Sequence, residues 1–514
     1  CLECRKKHLK CDAAQPICGR CQRNSLSCSY TPSRRGGLTR AQRRIHQEQR
    51  RPMSCASPRM PPSQNAGLLV GGTPTTIEAV PSRLQQLDES AAGTPNSATL
   101  NTPSTIRSCR FSGLSEREMD YLINLFYANF WLVHPMLVPR HAYAQQSYPD
   151  HVKLVICLIG SYYASPTYPR ASLWQATTSA FSTLTVRDIH RVQALVLYAI
   201  LLHAQQQSKE ATACIVEATD IAISVGLNRP EFASERAGMN PLVEESYRRT
   251  WWELYIVDGF MAVVHQLQGF RSNSVGMHPN LPCEETLYAQ AICDHRPVTL
   301  QQFEDRAFAT EACAYSSFCY RIEAIRIISR ILAVARANDA EPDEIQAVDN
   351  ALASWKYHLP VSKSDVIDQY GHVDHMLLQA NVFIQCATII LHFPRSDLPL
   401  TMSTCSDLAC TRHTSRITAT SRQHTVKAIS ASKELSNLAA LPWCMTVHSP
   451  FFTYGLILGC IVQLSASSSH AQTCLQQHRD RVTLMIGALK TLSEKWAVAQ
   501  NALRHLVKVS GSIF

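Results

Sequence analysis

A large all-α body behind a small cysteine-rich module and a linker is the fold class this sequence predicts, and three observations carry it. Six cysteines, Cys1, Cys4, Cys11, Cys18, Cys21 and Cys28, fall in a C-x2-C-x6-C-x6-C-x2-C-x6-C array that uses one spacing twice. Residues 52 to 108 then hold eight of the 26 prolines, among many Ser, Thr and Asn. From Ser115 onward, apolar residues recur three and four apart in runs too long for strands, as an amphipathic helix requires.

Six thiols in 28 residues could form disulfides or bind metal. Nothing hydrophobic precedes them, and the later cysteines are scattered without a pairing pattern, so a reducing compartment is expected. In such a compartment soft thiolates suit zinc, and short C-x2-C pairs chelate one ion from a single turn. One ion on four sulfurs leaves two thiols idle. Two tetrahedral ions need eight positions, which six sulfurs supply if two of them bridge, and the repeated spacing favours this arrangement. Between the second and third cysteines runs Arg5-Lys6-Lys7-His8-Leu9-Lys10, a cationic strip suited to a polyanion.

The segment C-L-E-C-R-K-K-H-L-K-C-D, with Pro16 and C-G-R-C-Q-R-N-S-L-S-C-S-Y, resembles the fungal Zn2Cys6 binuclear-cluster transcription regulators in all six cysteines and their surroundings. The resemblance implies two Zn2+ ions, bridging sulfurs at Cys1 and Cys18, and a loop shaped by Pro16. It also implies a helix after Cys4 that enters the major groove of double-stranded DNA at a CGG-type half-site. The family's base and phosphate contacts map onto Arg5, Lys6, Lys7, His8 and Lys10, with Arg20 and Arg23 of the second half bracing against phosphate. His8 departs from the lysine most often found at its position. A neutral imidazole offers one donor, so a guanine contact from His8 is weaker and strengthens on protonation near pH ~6.5; the other reading is that His8 fills a slot beside the phosphates.

After the array, Ser29 to Gly37 also resembles the tail of many such regulators, with Arg34 and Arg35 placed to follow the phosphate backbone. Residues 1 to 60 hold 14 Lys+Arg against 3 Asp+Glu, whereas the remainder holds 35 against 37, so the chain's net +9 is concentrated at one end. Six thiolates with two zinc ions remove about two units from that end and still leave a cationic arm. This charge distribution fits local nucleic-acid contact, and the basic stretch equally suits nuclear import. Cysteine does not initiate translation, so residues before Cys1 are expected. Coiled-coil signals are short: Leu38, Ala41 and Ile45 fail at Glu48, and Ile77, Val80, Leu84 and Leu87 enclose Pro81. A monomer and a homodimer therefore both stay open. The expected organisation is a DNA-binding domain over 1–30, a basic then Pro/Ser/Thr-rich disordered linker over 31–108 and a helical domain over 109–514.

Within the body, Ser115 and Glu118 predict a capping box, followed by Met119, Leu122, Ile123, Phe126 and Phe130 on one helix face. Further helical runs are expected at 152–164, 192–204, 212–226, 244–264, 304–336, 373–392, 427–440, 451–466 and 480–507. A loop is expected over 228–239, and a disordered one near 396–423. Leu132 to Met136, Val192 to Tyr198, Ala222 to Asn228 and Tyr247 to Asp258 resemble the fungal-specific transcription factor, or middle homology, domain, most clearly over 110–340. In the last stretch Trp251 and Trp252 read as core anchors, and Arg248 and Arg249 as partners of carboxylates at the domain surface.

The resemblance implies a nuclear, sequence-specific regulator of RNA polymerase II transcription that works with the transcription machinery or co-regulators. Genes of metabolism or of a secondary-metabolite cluster are the habitual targets. A zinc-dependent interaction module without its own DNA specificity is the alternative. Catalysis has no support: G-x-G-x-x-G, P-loop, H-E-x-x-H and G-x-S-x-G motifs are all missing. The apolar stretch 449–469 is broken by Pro450 and Gln463 and reads as a buried helix, so no membrane is expected. Cys405, Cys410, His413 and His424 are too irregularly spaced to suggest a second metal site.

Overall fold

The computed structural model describes residues 4, 11, 12, 14, 16–29 and 114–514. Excepted are residues 184, 294–296, 310–314, 336–340, 400–419, 442–446 and 470–471, and the side chains of 469, 472 and 473. The linker, both coiled-coil signals, Arg34, Arg35, Cys405, Cys410 and His413 lie outside the described residues. The chain divides into two units, Cys1–Asn101 and Thr102–Phe514.

In the first unit, helix α1 (Gly19–Arg23) begins at Cys18, whose sulfur accepts the amide of Cys21 as an N-cap. Ser25, in the left-handed region at φ 49°, turns the chain so that the Leu26 amide bonds back to the Cys21 carbonyl at 3.0 Å. Cys4, Cys18 and Cys21 form the buried centre, with Cys11, Leu26 and Cys28 packed around them. Sulfur replaces aliphatic carbon as the core of a unit too short to bury much else.

The second unit is helical, and among its described residues the sole β feature is an isolated bridge between Ile367 and Val373. Helix α2 (Glu116–Asn129) starts at the expected capping box: Ser115 Oγ accepts the Glu118 amide at 3.3 Å, and Glu118 accepts the Ser115 amide at 2.9 Å. Its buried face, Leu122, Ile123, Phe126 and Tyr127, meets α3 (Asp150–Ser161). Gly160 makes that crossing possible, because a Cβ there would lie 2.1 Å from the Leu122 carbonyl oxygen. Helix α4 (Ala171–Thr183) follows, then α5 (Ile189–Ala204), buried on all sides and N-capped by Asp188, with α6 (Ser208–Val225) packed along it.

Helix α7 (Pro241–Val264) carries Asn240 as N-cap and Pro241 at its first position, the place where a missing N–H costs nothing. It crosses α8 (Ser317–Ala335), which packs on α10 (His375–His392); α9 (Pro342–Tyr357) lies against both. Helices α11 (Ser421–Ala439), α12 (Phe452–Ser469), α13 (Gln472–Ser493) and α14 (Ala497–Ile513) complete the body, with α12 near its centre.

The structure corrects the expected runs at two places. Residues 304–336 are not one helix: a short turn of 3-10 helix ends at Phe308, and α8 begins at Ser317. Residues 480–507 break at Trp496, a buried indole stacked on Tyr162 at 5.7 Å between ring centres, so packing overrides the continuous pattern. The 228–239 loop contains a short helix, Phe232–Arg236. The 449–469 stretch is a buried core helix, as expected. Among the described residues, one helix, His375–Arg395, is long and apolar enough to cross a membrane, but 78% of its apolar window is buried inside the body.

Trp251 and Trp252 are core anchors with no exposure. Arg248 and Arg249 do pair with carboxylates, though not at the surface: Arg249 Nε lies 2.7 Å from Glu245 Oε1, and both side chains are buried. Arg249 also donates to the Cys283 carbonyl at 2.7 Å and covers the Tyr288 ring at 4.2 Å, so its charge is satisfied on several sides. One turn further along α7, Glu253 takes two nitrogens of Arg321 at 2.7 and 2.9 Å and His134 Nδ1 at 2.7 Å, all fully buried. A carboxylate only accepts, so His134 donates from Nδ1 and presents Nε2 to Ser449 Oγ at 3.0 Å. Arg321 and His134 hold the Glu253 carboxyl at about 2 against the raising effect of burial. This cluster clamps two of the family-like stretches, around His134 and around Glu253, to α8 and to the entrance of α12.

Candidate metal centre

Two groups of sulfurs form the site. The Sγ atoms of Cys4, Cys11 and Cys18 lie within 4.8 Å of one another, as do those of Cys18, Cys21 and Cys28. Cys18 is common to both, and its sulfur is 3.8 Å from that of Cys4. Of these five cysteines, Cys4, Cys18 and Cys21 are buried and Cys11 and Cys28 half-buried. Cys1, Arg5, Lys6, Lys7, His8 and Lys10 lie outside the described residues.

The donor chemistry fits zinc. Thiolates crowded this closely repel one another, and burial followed by neighbouring Cys18 and Cys28 pushes the Cys21 thiol up to about 12. Burial likewise raises Cys4. Cys18 moves the other way, chiefly because the Cys21 amide donates to it at 3.4 Å at the N-terminus of α1. A divalent cation removes the repulsion, and without one the cluster favours protonated thiols. Each triad supplies three soft ligands against a tetrahedral preference for four, and one further sulfur shared by both would complete the count.

Two contacts brace the pair of triads. Asp12, next to Cys11, accepts the Gly19 amide at 3.0 Å and so ties the first half to the helix of the second. A Cβ at position 19 would approach the Asp12 carboxylate to 2.8 Å, so glycine keeps that contact open. Sequence reasoning missed Asp12; its place directly after Cys11 was the available signal. Arg20 directs Nη1 to the Cys4 sulfur at 3.7 Å, and Arg23 bonds the Gly19 carbonyl of its own helix at 3.2 Å. Each guanidinium thus spends one of its five donors within the module.

Comparison with known proteins agrees with this chemistry. Residues 1–37 match the fungal Zn(2)-Cys(6) binuclear cluster domain, and residues 120–357 match the fungal specific transcription factor domain. The chain is similar to a C6 finger domain transcription factor, iacK, of Pestalotiopsis fici. The two are 30% identical over 549 residues, which cover 100% of this chain and 80% of the relative. No solved structure matches the chain. The matched families are transcription factors and not enzymes, and their cluster binds two zinc ions. The chain therefore belongs to the fungal Zn2Cys6 binuclear-cluster transcription factors.

Proposed function

We propose that this transcription factor reads CGG-like triplets in double-stranded DNA through residues 1–30, in the nucleus, to regulate RNA polymerase II transcription of a metabolic or secondary-metabolite gene cluster. The observation that carries the reading is the shared position of Cys18. With Cys4 and Cys11 it forms one sulfur triad, and with Cys21 and Cys28 the other. Cys1 would complete both sets of four. Zinc, when bound, neutralises the thiolates and fixes the two halves of the module at one geometry.

The remaining work belongs to this chain's own side chains. Lys6, Lys7 and Lys10 neutralise phosphate, Arg5 and His8 contact base edges, and Arg20, Arg23, Arg34 and Arg35 follow the backbone. The affinity is therefore salt-dependent, while selectivity rests on one or two residues. The helical body, from about residue 109, engages the transcription machinery or co-regulators, and the chain acts as a monomer or as a homodimer.

Fluorescence anisotropy of the full chain on a duplex bearing CGG triplets tests this. Binding is expected with zinc, falling as salt rises, and is abolished by chelation or by Cys11→Ala. Binding retained in a protein shown to lack zinc contradicts the mechanism. Zinc-replete protein that binds all duplexes alike, or none, favours the interaction module without DNA specificity.

A further inference from the structure

A groove of about 490 Å³ runs along the solvent side of α11, bounded by α13 and by the turn after α10. Its α11 wall is one continuous helical stripe from Arg422 through Val426 and Ile429 to Lys433, about 16 Å long at 1.5 Å per residue. Leu398 extends the apolar floor, and Arg481 of α13 adds a third cation. The volume falls in the range of small-molecule sites, and so does the pattern of apolar floor and few charged groups.

The charges are uncommitted. Among the described residues, neither Arg422 nor Lys433 has a side-chain hydrogen bond or ion pair, and Arg481 reaches only Gln463 Oε1, at 3.5 Å. Asp397, the one acid of the groove, accepts from the Thr425 hydroxyl, and its own amide donates back to that oxygen at 3.0 Å; against one carboxylate the three cations Arg422, Lys433 and Arg481 leave the groove net positive. The positive end of the α11 dipole lies at Arg422 and adds to the field. Val426 is 62% exposed, an apolar side chain left uncovered between like charges.

We propose that this groove binds an elongated organic dianion of the dicarboxylate class, with its methylene chain on Leu398, Val426 and Ile429 and its carboxylates on the cations at either end. Charge complementarity selects the anion, and the separation of Arg422 from Lys433 selects length. The proposal is independent of the DNA reading, because binding is measured on the protein without DNA.

Equilibrium dialysis of the full chain with labelled suberate, at low salt, gives one site per chain with Kd of about 1 mM, the affinity a ligand of about a dozen heavy atoms attains. The neutral isostere 1,8-octanediol binds at least tenfold more weakly. Arg422→Gln with Lys433→Gln weakens suberate at least tenfold, Arg481→Gln weakens it severalfold, and the exposed control Lys209→Gln leaves it unchanged. Arg422, Lys433 and Lys209 are exposed and Arg481 is half-buried, and an unchanged melting temperature shows that the variants fold. Equal binding by the double variant, or no binding of succinate, adipate or suberate, overturns the proposal. Binding of hexaglutamate with no dicarboxylate response also overturns it and reassigns the groove to an acidic protein partner.

Discussion

Cys18 differs from the other described cysteines in serving two triads, and substitution separates that role from an ordinary ligand's. Cys18→Ala removes a donor from both ions and is expected to leave no bound zinc by native mass spectrometry. Cys28→Ala removes a donor from one set only, and a population retaining one ion is expected. Equal loss in both variants would contradict the shared position. If Lys10 contacts phosphate as proposed, Lys10→Ala lowers affinity uniformly across sequences, and the slope of log K against log salt drops by about 1. In the body, Glu253→Gln leaves Arg321 buried without its counter-charge. Chemical denaturation should register a loss of roughly 3–5 kcal/mol, the usual consequence of breaking a buried pair from one side. The two sulfur triads were legible because the cysteine spacing itself encodes them. Asp12 was not, since a single carboxylate has no periodicity, and neither was the His134–Glu253–Arg321 cluster, whose members are 119 and 68 residues apart in the chain.

A helix declared itself where a cap and a wide apolar stripe coincide, as at Ser115. Helix α9 was overlooked although Pro342, Asp343 and Glu344 open it in the order that suits a helix N-terminus. Helix α4 offered little to read: only Leu173 and Thr177 are buried on it, among serines and threonines. The break between α13 and α14 has neither glycine nor proline, and Trp496 turns the chain because Tyr162 and Tyr163 lie where its indole can stack. Such breaks come from tertiary contacts and are invisible to local periodicity. At the α2–α3 crossing, Gly160→Ala forces a methyl group against the Leu122 carbonyl. Separation of the two helices is expected to cost roughly 1–3 kcal/mol in thermal or denaturant unfolding, whereas a neutral outcome would mean the crossing relaxes freely.

Across the whole molecule, a cationic end is joined to a nearly neutral helical body rich in buried histidine. Burial lowers His203, His278 and His392 to about 4 and His448 to about 3, so the folded body prefers these rings neutral. Below the ordinary histidine value of about 6.5 the unfolded chain binds the additional protons. This contribution to stability is thus full above pH ~6.5 and is lost as pH falls toward 4. A melting temperature that declines between pH 7 and pH 5 is expected; an unchanged one contradicts the buried neutral state. The change from a cysteine-rich, cationic end to a helical body was legible from charge and composition, while the groove on α11 depends on how distant helices meet. The central claim is that zinc-held residues 1–30 read DNA sequence, and selection of a random duplex pool by the full chain at ~0.15 M salt tests it most directly. Enrichment of CGG-like triplets with zinc, and its loss on chelation, is the predicted result; a zinc-loaded chain that enriches no sequence would contradict it.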